Sequence, residues 1–227
     1  MPATADDWDW WFGIWKGLIN CGACGALMYT NAPCPVCGQD YRNVPPQRME
    51  FNGEVIEVQP AFAGAVNWSD YVLLRLMHQE WQRPAAMPDN FAGMPDERRP
   101  ASRLLTVILS WSLFESLMGR LLEAGMRTLP ASVNKDLLTR YSSVGSRMDR
   151  LYRIIFDSTL EADLKRLEYP QLWAHLREVQ KRRNAFIHGE PEAINDELAN
   201  KTAEYLPVLQ EAWMRLYNLR CARLRGV

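Results

Sequence analysis

Apolar positions recur at helical spacing through most of the chain and group into separable elements. Ser69 to Gln82 reads as a helix, with Asp70 near its start and Pro84 closing it. Ala101 to Thr128 is longer and strongly apolar, carrying Leu104, Leu105, Ile108, Trp111, Leu113, Phe114, Leu117, Met118, Leu121 and Leu122. These residues cover more than one stripe, which predicts a central helix or one in a subunit interface. Ser146 to Asp157 is a shorter amphipathic helix. Pro170 opens another, because proline suits a first-turn position, and Gly189 and Pro191 stop it. Asn195 to about Arg223 makes the last, and Pro207 inside it predicts a kink or a broken start. Only one hairpin signal appears, Met49 to Val58 around Asn52-Gly53.

That pattern predicts a mainly α protein with three parts: an aromatic-rich segment and small cysteine module over 1–60, a helix and proline-rich linker over 61–100, and a helical bundle over 101–227. The stretch Pro84 to Pro100 is the linker candidate, with prolines 84, 88, 95 and 100. Charge changes sign across it. Residues 1–100 hold 7 Lys and Arg against 12 Asp and Glu, and residues 101–227 hold 19 against 15. The C-terminal excess is mild, so charge alone does not select a nucleic-acid partner.

The composition, 48% hydrophobic and 23% charged, is that of a globular chain and excludes a disordered or low-complexity one. The longest charge-free apolar stretch, Leu104 to Phe114, is shorter than the ~20 residues a bilayer span needs. Asp6, Asp7 and Asp9 stand where a signal peptide would carry Lys or Arg. A cytoplasmic protein without a membrane partner is expected.

Four of the five cysteines form two knuckles, Cys21-Gly-Ala-Cys24 and Cys34-Pro-Val-Cys37. A two-residue spacer lets both thiolates meet one metal from a tight turn, and the flanking glycines and prolines supply the turn chemistry. The doubled motif resembles a zinc ribbon and predicts one structural Zn2+ held by Cys21, Cys24, Cys34 and Cys37. Disulfides and a redox pair are the competing readings; the first is rare in cytoplasm, and the second needs a single CxxC in a βαβ unit. Four thiolates leave no open position for catalysis. Cys221 stands apart as a plain helix residue. Trp8, Trp10, Trp11 and Trp15 cluster ahead of the knuckles and are expected to pack in a core or between domains, although such rings can also stack bases.

The stretch from Lys181 to Gly189 places fixed cations, an amide and an imidazole where a helix ends. On an ideal helix Arg183 and His188 lie ~140° apart, so they face one site only if the helix stops near His188. Arginine offers a planar fork for phosphate, and histidine moves protons near neutral pH. Arg183-Asn184 followed by three residues and His188-Gly189 resembles the Arg-x4-6-His motif of the HEPN superfamily, over residues 101–227. The resemblance implies a helical-bundle endoribonuclease that needs no metal for catalysis, often a toxin or defence effector, and commonly a homodimer. An antitoxin or regulatory protein is a further partner it implies.

Metal-free RNA cleavage by the ribose 2′-hydroxyl needs a base, an acid and cationic stabilisation of the phosphorane-like state. His188 suits base or acid, Arg183 the stabilising role, and Asn184 an orienting one. A two-fold dimer would supply a second histidine. Glu115 interrupts the apolar helix, where a carboxylate needs a partner unless it reaches the rim. HEPN proteins often carry an acidic or polar residue in an earlier helix near the motif, so the resemblance implies that Glu115 orients Arg183. His175 lies two turns before Arg183 on nearly the same helical face and reads as packing or surface, with substrate contact the lesser alternative; His78 is equally without company. A non-catalytic HEPN-like binding module and a zinc-ribbon adaptor remain the alternatives.

Overall fold

A computed structural model describes residues 18–29, 31–40, 47–51, 54–58, 68–83 and 93–222. The tryptophan cluster over 8–15 and the first part of the proline-rich stretch lie outside them. Two antiparallel ribbons come first. Strand β1 (Leu18–Asn20) pairs with β2 (Leu27–Tyr29), setting Leu18 opposite Tyr29. Strand β3 (Gln47–Phe51) pairs with β4 (Glu54–Val58), and Phe51 faces Glu54. That register leaves two residues, Asn52 and Gly53, between the strands, as the hairpin reading required.

The rest is helical, so the fold is mainly α. Helix α1 (Trp68–Gln82) precedes α2 (Leu104–Gly125), α3 (Ala131–Arg140) and α4 (Val144–Ser146). A π-helical segment (Arg147–Leu151) then runs directly into α5 (Tyr152–Phe156). Helices α6 (Leu160–Arg166), α7 (Pro170–Ile187) and α8 (Asp196–Cys221) complete the order. Side-chain oxygens cap several starts. Thr159 accepts from Ala162 N at 3.1 Å and Asn195 from Leu198 N at 3.0 Å, each satisfying one donor that the first helical turn leaves open. Pro207 does not break α8, which runs through it with the proline exposed to solvent.

Helix α2 is the centre. Val107, Trp111, Leu113, Phe114, Leu117, Met118, Leu121 and Leu122 are all buried, and α1, α7, α8 and the π segment pack around them. Phe114 meets Trp213 of α8 edge-on at 6.3 Å, a favoured aromatic geometry. Leu74, Met77 and Trp81 of α1 belong to the same core, and buried Asp70 of α1 pairs with Arg120 and accepts from Ser116 Oγ at 2.6 Å. By length and composition α2 is apolar enough to cross a membrane, with mean hydropathy 1.3 over its window, and half of that window is buried inside the fold. The charge-free run ends at Phe114, but the helix continues through Glu115 and Arg120, so its full length exceeds what that run suggests.

A second polar anchor lies between α6 and α8. Asp163, 2% exposed, accepts from Tyr152 Oη at 2.5 Å, from Ser158 Oγ at 3.0 Å and from both Nε and Nη2 of Arg220. Burial, then the bond to Asp163, push the Tyr152 phenol far above its usual range.

Candidate functional site

Two places in the fold gather chemistry. At the first, the four cysteine sulfurs of Cys21, Cys24, Cys34 and Cys37 lie within 4.8 Å of one another. Cys21 and Cys37 approach to 3.6 Å, as do Cys24 and Cys34. A tetrahedron with ~2.3 Å metal–sulfur bonds has sulfurs ~3.8 Å apart, whereas a disulfide needs ~2.05 Å. All four thiols are free, so the site fits a metal ion and the disulfide reading fails.

The two knuckles are built alike. Gly25 N donates to Cys21 O at 2.8 Å, and Gly38 N donates to Cys34 O at 2.9 Å. Both glycines hold positive φ, 74° and 76°, which lets the chain turn back immediately after the second cysteine. Cys21 N then closes on Ala26 O and Cys34 N on Gln39 O. Desolvation by its neighbours pushes the Cys24 thiol up to about 12. Without a cation Cys24 therefore favours the thiol over the thiolate, and a divalent cation reverses that preference. Cys221 is not part of the cluster: it is buried, with its sulfur 3.9 Å from Leu121 O.

The knuckles sit on the helical body. Ile19, Ala26 and Met28 form a small apolar cluster with Ala222, just past the end of α8. Asn218 of α8 accepts from Leu27 N at 2.6 Å and donates to Leu27 O at 2.9 Å.

The second place is the end of α7. The helix stops at Ile187, His188 is the C-cap, and Gly189 takes φ 103°. Glu190 N donates to Ala185 O and Gly189 N to Phe186 O, both at 3.1 Å. This pair of reversed bonds is a Schellman turn, and the left-handed residue it requires is the reason for Gly189. His188 and Asn184 are exposed and Arg183 is half-buried. Arg183 Nη1 donates to Asn184 Oδ1 at 3.4 Å, so two of the expected residues meet directly. His188 closes the same helix end, with its backbone N–H on Asn184 O at 3.0 Å.

Glu115 has a different partner from the one expected. Its carboxylate accepts from Trp111 Nε1 at 2.7 Å, one turn earlier in α2. Among the described residues no hydrogen bond or ion pair joins it to Arg183. The i,i+4 spacing that places an indole donor beside the carboxylate was visible in the sequence.

His175, expected either to pack or to lie at the surface, is 4% exposed and stacked on Tyr205, with ring centroids 4.4 Å apart and planes 13° from parallel. Desolvation, with Lys201 adding to it, pulls its pKa down to about 4. Among the described residues its Nδ1 has no hydrogen-bond partner.

No protein-family model, curated protein or solved structure matches this chain.

Proposed function

We propose that the chain is an endoribonuclease of HEPN type whose catalysis needs no metal, a toxin or defence effector acting in the cytoplasm as a homodimer. The observation that carries this reading is the end of α7. A Schellman turn halts the helix at His188, where His188 and Asn184 are exposed and half-buried Arg183 is bonded to Asn184. His188 is the proton-transfer group, Arg183 the stabiliser of charge building on the scissile phosphate, and Asn184, bonded to Arg183, the orienting group. One imidazole cannot give and take a proton in the same step, so the second comes from the partner copy. The cysteine site holds a structural zinc ion, because a four-thiolate set suits that metal. It supplies folding free energy and stays outside the chemistry.

The test is cleavage of a mixed RNA pool in a chelator by wild type and His188→Ala, with analysis of the new ends. Cleavage by wild type alone, leaving 2′,3′-cyclic phosphates, is the expected result. Silence from both would replace this reading with the second one, a non-catalytic binding or adaptor protein. That second reading is favoured by one observation: Glu115 is bonded within its own helix, leaving Arg183 without a carboxylate partner among the described residues.

A further inference from the structure

The formal charge of the whole chain is −1, yet two neighbouring elements of the bundle are strongly basic. The run 144–156 and helix α7 together carry Arg147, Arg150, Arg153, Arg177, Lys181, Arg182 and Arg183, against Asp149 and Glu178 alone. The two elements lie side by side and antiparallel. A side chain at Gly145 would meet Gln180 Nε2, and Asp149 reaches Arg177 at 3.4 Å. From Trp173 to His188 the helical rise gives a length of about 22 Å.

From this arrangement we infer that the face shared by α7 and the run 144–156 is a binding track for single-stranded RNA, ending at His188. The inference rests on the ribonuclease reading and names where its substrate lies. Trp173, Arg177, Lys181 and Asn184 follow one another at three- and four-residue steps, with His188 next, so they share one stripe of the helix. Arg177 is held in place from three sides. Its guanidinium lies 5.4 Å from the Trp173 ring centre, and Nη1 donates to Gln180 Oε1 at 2.9 Å and faces Asp149. A planar cation fixed this way suits a phosphate edge-on and an unpaired base face-on. Arg150, Arg153 and Lys181 are exposed, and none of the three has an acidic partner among the described residues. Unengaged cations along a stripe match a polyanion better than a protein surface.

Binding can be separated from cleavage, because a 2′-O-methyl oligonucleotide lacks the attacking hydroxyl. A fluorescein-labelled 2′-O-methyl 12-mer would be titrated by anisotropy at several salt concentrations. The proteins are wild type, Arg177→Ala/Lys181→Ala, Arg150→Ala/Arg153→Ala, and Arg215→Ala as a single-charge control on α8, each checked for unchanged helicity. Each double variant is expected to weaken binding about tenfold or more, and to flatten the log–log salt slope by ~0.7 for each phosphate left without its cation. The control should match wild type. Absence of wild-type binding at low salt, or double variants that bind like the control, overturns the track. Parallel cleavage of the unmodified RNA keeps the two ideas apart. Cleavage that survives in the double variants sinks the track and keeps the ribonuclease. Track-dependent binding by a wild type that never cleaves keeps the track and sinks the ribonuclease.

Discussion

The side-chain amide of Asn218 closes a two-bond ring with the backbone of Leu27, accepting at 2.6 Å and donating at 2.9 Å across 191 residues of sequence. A side chain here does what a neighbouring strand would do for β2, and it fixes the cysteine module to the last helix. Leu27 is buried, so neither backbone group has water as a ready substitute. Asn218→Ala is expected to destabilise the protein by ~2 kcal/mol, the cost of leaving both groups unpaired. Asn218→Asp should be worse, because the donor is lost and a carboxylate then faces the Leu27 carbonyl. Chemical denaturation of the three proteins checks the order; equal midpoints would show that the pairing contributes nothing.

Asp163 is a buried carboxylate whose charge is balanced by Arg220. Removing that cation leaves an anion in the core with Tyr152 and Ser158 as its remaining side-chain donors among the described residues. Arg220→Ala is therefore expected to cost about 3 kcal/mol, and Tyr152→Phe about 1 kcal/mol. Urea midpoints of the two variants measure the difference. A larger loss in Tyr152→Phe would mean that the phenol, not the guanidinium, is the essential partner.

His175 gives the protein a pH dependence with a definite sign. Burial holds its pKa at about 4 in the fold, against 6.5 for a free histidine. Between those values the unfolded chain takes up a proton that the native state refuses, so stability falls as pH drops from 6.5 to 4 and levels off on either side. The difference corresponds to roughly 3 kcal/mol. His175→Phe keeps a ring stacked on Tyr205 and removes the titration. Melting temperature against pH should be flatter for the variant across that window. Parallel curves would mean that His175 is already protonated in the fold.

The stop at the end of α7 was legible because it is local chemistry: His188-Gly189 supplies the residue types a Schellman turn needs. The cysteine knuckles and the hairpin were legible for the same reason, each being set within a few residues. Helices α3 and α6 escaped. The first has no buried residue and so no apolar stripe to read, and the second is only seven residues long. The π segment also left no sequence signal, since its extra residue per turn depends on how Met148 and Leu151 meet the core. Long-range pairs were out of reach altogether. Nothing near Asn218 announces Leu27, and nothing near Asp163 announces Arg220. Glu115 shows the same limit at the candidate site: a carboxylate among apolar neighbours requires a partner, but the sequence does not say which, and Trp111 was nearer than Arg183.

Metal removal should separate the two halves of the molecule without dissolving either chemistry. Among the described residues the knuckles have a small apolar cluster, with Ile19, Ala26 and Met28 leaning on Ala222, so an ion bound there would supply much of their folding free energy. The bundle has its own large core, built on α2 and α8, and does not need the ion. Chelation, or Cys24→Ser, is thus expected to leave most helical circular dichroism in place while the knuckles unfold. It should also release the Asn218–Leu27 pairing and uncover the end of α8. Because the freed groups then meet water, the loss is nearer the net ~1 kcal/mol of a hydrogen bond, and the bundle's melting temperature should fall by roughly 2–4 °C. Adding zinc back should restore it in wild type and not in Cys24→Ser. Because metal binding must displace protons from the thiols, the restoration should weaken as pH is lowered. An unchanged melting temperature would mean that knuckles and bundle are thermodynamically independent. Complete loss of helicity would mean that the ion holds the bundle as well.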